Sequence, residues 1–400
     1  NNQKLRDHKV FLHGPHKPAT DTCLFFCNTV ESMNSCTVDL IPVLKDNYVF
    51  VLRDNLNEKT AVIDPSVSQP VLEFLKSRDW RLDYIWNTHH HADHTGGNLD
   101  LKAATGCKII ASEHDSHRIP GWDILVKSDD FFYFSDIRVL SKHIPGHTLG
   151  HIAFYLEQEK FLFCGDTLFS LGCGKLFEGT AGQMWKSLEW VKSLPTSTQI
   201  YCNHEYTLNN GRFARSIEND NPALDQRILE IKELRRQKKS TIPVSLALEL
   251  ATNPFLRLDA PSVKSFLHLT NATEIERFAC LRHLKDQFSP TTFDLKYLVD
   301  RHDGDRELGD ELLNLFTSSS NDLLEQMQNA LTKGDLKGLA MYAHSLKGAA
   351  ANFAKTLCTQ CAADLEKAAE RSSPADLQQL LLLLKVETRD LIYSAREELS

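Results

Sequence analysis

Four residues able to ligate a metal fall within six positions: His89, His91, Asp93 and His94, in the run Asn87-Thr88-His89-His90-His91-Ala92-Asp93-His94-Thr95-Gly96-Gly97. Imidazole and carboxylate are donors that suit zinc, iron or manganese. The run follows an apolar strand-like stretch and precedes a helix-like one, so it reads as a loop at a strand's C-terminal end. On an extended backbone His89 and His91 point the same way and can reach one metal. Asp93 and His94, where the chain turns, can face a second. Three further candidates also stand at strand ends: His147 in Pro145-Gly146-His147-Thr148-Leu149-Gly150-His151, Asp166 in Phe163-Cys164-Gly165-Asp166-Thr167, and His204 in Tyr201-Cys202-Asn203-His204-Glu205-Tyr206. Asp166 is the carboxylate placed to bridge two ions. His90 and His151 are read as supports for the ligands rather than ligands, and His8, His13 and His16 as solvated. Two metal ions close together hold a hydroxide at neutral pH and stabilise an oxyanion, which is hydrolytic chemistry.

The elements that must position these residues follow from periodicity. Short β-rich runs occupy Tyr48–Leu52, Thr60–Ile63, Asp83–Thr88, Lys108–Ala111, Ile137–Ile144, Ile152–Leu156 and Phe161–Cys164, with helix-like stretches at Pro70–Arg78 and Ala181–Ser193. That alternation predicts an α/β layered domain. After Tyr201 the strand signal fades, Asn221-Pro222 opens a helix over Ala223–Lys239, and further helical pieces run to Phe288. Ser289-Pro290 is a break, and the remainder reads as four or five helices of a bundle.

Composition narrows the class. A net charge of −8 argues against a nucleic-acid partner, and no apolar run nears the roughly 20 residues that span a bilayer. The ten cysteines are scattered rather than framed, which predicts free thiols and a cytoplasmic setting. Cys173 and the Cys358/Cys361 pair are read as packing residues.

The segment Thr88–His94 resembles the THxHxDH signature of the metallo-β-lactamase superfamily. Gly172-Cys173-Gly174-Lys175-Leu176-Phe177-Glu178-Gly179-Thr180 and His204-Glu205-Tyr206-Thr207 resemble glyoxalase II (hydroxyacylglutathione hydrolase). The resemblance continues through Asn253-Pro254-Phe255-Leu256-Arg257 and Leu281–Phe288, covering about residues 36 to 288. It implies an αββα sandwich over 36–205, a helical glutathione-binding domain over 206–289, and two divalent metal ions, zinc first with iron or manganese as alternatives. It assigns metal one to His89, His91, His147 and Asp166, and metal two to Asp93, His94, Asp166 and His204, with Asp93 and Asp166 counted as catalytic. Lys175, Phe177, Tyr206, Asn210 and Arg257 would hold the tripeptide of a glutathione thioester. Phe177 stands where some relatives carry Tyr, and no second basic residue follows closely after Arg257. The implied reaction is hydrolysis of S-D-lactoylglutathione to glutathione and D-lactate. Persulfide oxidation or phosphodiester cleavage on the same metal fold are the rival chemistries.

Ala343-His344-Ser345-Leu346-Lys347-Gly348-Ala349-Ala350-Ala351-Asn352-Phe353 resembles the phosphoacceptor helix of histidine phosphotransfer (HPt) domains, over 290–400. His344, Lys347 and Gly348 share one helical face. The resemblance implies an all-α HPt-like bundle that accepts phosphate at His344 from a response-regulator receiver domain. On a third reading the chain is chiefly a phosphorelay protein with the hydrolase as its sensor. Residues 1–35 are read as a weakly ordered extension.

Overall fold

Two six-stranded sheets face each other, and the computed structural model describes them within residues 35–291, 293, 306–353 and 356–399. The expected extension lies outside the described residues except for Ser35. The first sheet runs β1 (Cys36–Val43), β2 (Asn47–Asp54), β3 (Lys59–Ile63), β4 (Tyr84–Trp86), β5 (Lys108–Ser112) and β6 (Ile124–Val126), in that order. β1 to β3 are antiparallel, and β3 to β6 parallel. β1 was not foreseen, because its inner and outer positions do not alternate cleanly. The second sheet contains β7 (Asp130–Phe134), β8 (Ile137–His143), β9 (Ile152–Leu156), β10 (Phe161–Gly165), β13 (Gln199–Cys202) and β14 (Val244–Ser245), with β10 parallel to β13. β11 (Leu168–Phe169) and β12 (Gly172–Cys173) make a small separate ladder.

β2 is apolar on both faces because both are buried. Phe50 and Leu52 pack between the sheets with Trp86, Phe154, Phe163 and Tyr201. Val49 and Val51 pack outward, in a second apolar layer with Leu75 of α1 (Gln69–Arg78) and Leu101 of α3 (Asn98–Thr105). The short α2 (Ala92–Thr95) carries two of the candidate ligands. On the far side α4 (Ala181–Lys192), with a complete Thr180/Gln183 capping box, buries Met184, Trp185, Leu188 and Val191 against the second sheet. Helix, sheet, sheet, helix is the αββα sandwich.

A helical region follows: α5 (Thr207–Ile217), α6 (Pro222–Arg236), α7 (Leu246–Thr252), α8 (Pro261–Leu267) and α9 (Glu274–Gln287). It is not cleanly separate, since β14 returns from it to pair with β13. Phe255, Phe266 and Phe278 share one core with the sandwich. The C-terminal helices are α10 (Arg306–Lys333), α11 (Leu336–Ala350), α12 (Leu357–Ala368) and α13 (Pro374–Leu399). α10 and α12 each pack on both α11 and α13, which puts α11 and α13 at opposite corners of a bundle. Met327, Leu339, Leu346, Leu365 and Leu377 fill it. Cys358 and Cys361 are buried there as free thiols.

α13 belongs to two cores. Leu382 and Val386 pack with the hydrolase core, while Leu377, Leu384 and Leu391 pack in the bundle. Asp390 takes both arms of Arg212 from α5, each at 2.8 Å, and the backbone N–H of Thr291 at 2.7 Å. Arg389 donates to the carbonyl of Ser216 at the end of α5, at 2.8 Å. Removing one partner of a buried ion pair leaves a charge without compensation. Asp390→Ala should therefore cost the full chain about 3 kcal/mol in chemical denaturation. A change within the error of the extrapolation would show that the seam carries no such weight.

Candidate metal and substrate site

The carboxyl ends of β3, β4, β10 and β13 and the β8–β9 turn all open at one edge of the sandwich. Tyr48 N–H donates to Asn203 O at 2.7 Å, and Asn47 bridges to His204, so the two sheets are stitched together beside the site. All seven candidate ligands converge there. His89 Nε2 lies 3.1 Å from His91 Nδ1, and His147 Nε2 lies 3.2 Å from the same atom. His204 Nε2 stands 3.4 Å from Asp93 Oδ2, and His94 Nε2 stands 3.8 Å from it. Asp166 sits between the groups: Oδ2 is 3.5 Å from His147 Nε2 and 3.4 Å from His204 Nε2, and Oδ1 is 3.5 Å from His94 Nε2.

The strand geometry differs from expectation in one respect. β4 stops at Trp86, and residues 87–91 are loop, with His91 as the N-cap of α2. His89 and His91 converge by presenting different ring nitrogens, not by strand alternation.

These residues fit a pair of divalent ions. Ligand atoms about 2.1 Å from one tetrahedral ion lie roughly 3.4 Å from each other, the spacing seen here. His94 Nε2 and Asp166 Oδ1 are buried without a hydrogen-bond partner in the protein, and both point into the cluster. An orphaned buried acceptor is costly unless something else satisfies it.

Each ligating nitrogen is fixed by what the other ring nitrogen holds. His94 Nδ1–H donates to Asp64 Oδ2 at 3.0 Å, His204 Nδ1–H to Asp46 Oδ1 at 3.0 Å, and His147 Nδ1–H to the Lys175 carbonyl at 2.8 Å. His89 Nδ1 meets Thr88 Oγ1 at 3.1 Å, and that hydroxyl donates to Asp64 at 2.6 Å. His151 Nε2 accepts from the backbone N–H of Asp166 at 3.1 Å, and His90 Nδ1 meets Asp115 Oδ2 at 3.1 Å. Both therefore support the cluster from outside it. Gly174 is forced: a Cβ there would sit 1.9 Å from the Asp166 carbonyl.

Burial holds His89 well below its ordinary range, lowers His147 and takes His91 down to about 4, so these three are neutral donors. His94 and His204 are buried too, but Asp166 and the other carboxylates around them raise them to about 10 and about 11. Asp166 stays ionised despite its burial because of those two rings.

Toward solvent, Phe177 packs edge-on against His91 and His147 with centroids 5.7 and 5.2 Å away, and Lys175 Nζ lies 5.8 Å from the Phe177 ring. Tyr206 stacks on His204 at 4.7 Å. Two expected substrate contacts are placed otherwise. Arg257 folds both arms onto Glu218, at 2.8 and 3.1 Å, so its charge is already neutralised by a carboxylate 1% exposed. Asn210 is buried and donates to the Ser170 carbonyl at 3.1 Å, which fixes the β11–β12 turn. Arg282 of α9, paired with Asp286 at 2.9 Å, also reaches the segment around Cys173. Arg282 donates to the Cys173 carbonyl at 2.8 Å, and Lys285 lies beside it over the rings of Phe213 and Phe288. Cys173 is a packing residue whose thiol burial pushes up to about 11.

Three families match successive parts of the chain. The family described as metallo-beta-lactamase superfamily matches residues 44–204, and that described as hydroxyacylglutathione hydrolase C-terminus matches 205–288. A hydroxyacylglutathione hydrolase of Methylococcus capsulatus is 51% identical over 248 residues, 62% of this chain and 97% of that protein. The chain belongs to the hydroxyacylglutathione hydrolase family. A second relative of that name, from Rhodospirillum rubrum, is 46% identical over 256 residues, 64% of this chain and 100% of that protein. Residues 311–396 match the Hpt domain, so this hydrolase carries a further C-terminal module. No helix among the described residues is long and apolar enough to cross a membrane.

Asp64 was missed in the sequence, although it follows the apolar Ala61-Val62-Ile63 as Asp166 follows Phe161–Gly165. Asp64→Asn should weaken metal retention roughly 10- to 100-fold, because two ligating rings lose their anchor. Metal content after dialysis against a graded chelator series measures this. Retention equal to the parent chain would contradict it.

Proposed function

We propose that this hydrolase cleaves S-(2-hydroxyacyl)glutathione, S-D-lactoylglutathione in particular, to glutathione and D-lactate, and that its bundle accepts phosphate at His344. The position of Asp166 between two groups of ligands carries the first part. His89, His91 and His147 with Asp166 would hold one ion, and Asp93, His94 and His204 with Asp166 the other. Zinc suits these N and O donors best, and iron or manganese would also fit. When bound, the ions supply a water-derived nucleophile at neutral pH and a Lewis acid for the thioester carbonyl. The match over 205–288 favours the thioester over phosphodiester or persulfide substrates.

The chain's own residues do the rest. Lys175 and the α9 bases Arg282 and Lys285 provide cationic partners for the two carboxylates of glutathione. Phe177 and Tyr206 line the mouth against His91, His147 and His204 and offer apolar faces to the substrate. The sulfur leaves as a thiolate, whose conjugate acid has a pKa of about 8.5 in model compounds, so no strong general acid is required. Purified chain should hydrolyse S-D-lactoylglutathione, and inactivity toward that thioester in the metal-loaded protein would refute the reading.

Burial lowers Lys285 to about 7. The ammonium is present below that pH and is lost as pH rises through it. For a substrate with two carboxylates, kcat/KM should fall above about pH 7, and Lys285→Gln should remove that limb while lowering kcat/KM at pH 6. A pH profile unchanged by the substitution would count against Lys285 as a substrate contact.

The His344 side chain is 67% exposed, with Nδ1 set 2.9 Å from Glu366 Oε1. That leaves Nε2 outward as the nucleophile. Attack on an aspartyl phosphate breaks the acyl phosphate's P–O bond and releases the carboxylate, with Glu366 supporting the Nδ1 proton. Lys347 sits 2.6 Å from Glu366, ready to turn to the added phosphate. A Cβ at Gly348 would meet nothing within 4 Å among the described residues, so the surface beside His344 is left open for a partner. A phosphorylated receiver domain should transfer label to the parent chain and not to His344→Gln. Equal labelling of both would eliminate His344 as the acceptor.

A further inference from the structure

Three loops meet at the mouth of the site. Residues 89–91 carry metal ligands, 146–150 carry His147, and 174–179 carry Lys175 and Phe177. They are joined by side chains outside the ligand set. Asp115, fully buried, meets His90 Nδ1 at 3.1 Å through Oδ2 and accepts from Arg118 Nε at 3.1 Å through Oδ1. The other face of the same guanidinium pairs with Glu178: Arg118 Nη1 bonds to Oε1, and Nη2 is 3.3 Å from Oε2. Glu178 Oε2 also accepts from the backbone N–H of Leu149 at 2.7 Å, and Oε1 lies 3.8 Å from His90 Nε2.

The backbone is cut to fit this junction. A Cβ at Gly150 would overlap Asp115 Oδ1 at 2.1 Å, and one at Gly179 would lie 2.6 Å from Gly146. Phe177 and Glu178 N–H both donate to the His147 carbonyl, at 3.2 and 3.3 Å, and Gly179 N–H donates to Gly146 O at 3.1 Å. These bonds involve only backbone and would admit several arrangements of an exposed loop. The forked, charge-assisted contact from Arg118 selects one of them.

We infer that Arg118 is a positioning residue for substrate: with Glu178 it latches the 174–179 loop to the metal-ligand loops, and so sets Lys175 and Phe177 in place before the glutathione moiety binds. The inference rests on the thioesterase reading for its kinetic arm only. Arg118 touches neither the ligand atoms nor the position of the reacting bond, so its loss should fall on binding and not on the chemical step.

The test compares full-length parent, Arg118→Ala, Arg118→Lys, Glu178→Gln and the double variant Arg118→Ala/Glu178→Gln, all with metal content measured. With S-D-lactoylglutathione, Arg118→Ala should raise KM about five- to tenfold while kcat stays within about twofold, and the double variant should be no worse than the single, as for two halves of one contact. Arg118→Lys, which keeps the charge without the fork, should fall between. Independently of activity, hydrogen exchange of the Phe177–Gly179 amides should speed up several-fold in Arg118→Ala. Parent-like KM and exchange, additive effects, or a loss of bound metal that accounts for the kinetics would each overturn the latch. An inactive parent chain would instead refute the thioesterase reading, and the exchange measurement would then decide the latch alone.

Discussion

A buried carboxylate with no cation of its own side-chain kind beside it is the constraint around which this protein is built. Asp166 is 6% exposed and surrounded by imidazoles, not by arginine or lysine. Taking such a charge out of water is expensive unless positive charge is placed against it. In the protein alone His94 and His204 face this carboxylate, and a pair of divalent ions is the positive charge their inward nitrogens suit. The outer residues follow from that demand: Asp64 and Asp46 behind the rings, His151 on the Asp166 backbone, and a glycine at 174 where any side chain would strike its carbonyl.

The fold meets the demand by topology. Parallel pairs β3/β4 and β10/β13 bring carboxyl ends to one edge, and the β8–β9 turn adds His147. The apolar sandwich beneath makes those ends rigid, with Phe163 and Tyr201 stacked at 4.9 Å directly below Asp166 and His204 in their strands. Candidate ligands from distant parts of the sequence thus meet within a few ångströms because each lies in a loop or short helix that follows a strand packing has already fixed.

Much of this was legible in the sequence. Metal ligands announce themselves because few other roles crowd His and Asp together, and strand ends are marked by the apolar run before them. The surroundings of the basic residues were less legible. Arg257 carries the right charge, but only the fold shows Glu218 lying against it. Arg282 and Lys285 stand more than a hundred residues from Cys173 and meet it through helix packing that no local pattern records. The bond from Asn210 to the Ser170 carbonyl is likewise invisible in the sequence. The seam with the bundle was equally hidden, since the helical periodicity of α13 does not reveal that one stripe serves the hydrolase core and another the bundle.

That shared helix leaves His344 on α11, at the opposite corner of the bundle from α13, so a partner can reach it with the hydrolase in place. Catalysis depends on the pair of ions proposed around Asp166. Titrating a divalent metal into metal-stripped full-length chain, with bound equivalents and lactoylglutathione hydrolysis followed together, tests it most directly. Two equivalents should bind per chain, with activity completed by the second and neither completed in Asp166→Ala. Saturation of activity at one equivalent, or full activity without metal, would contradict the account.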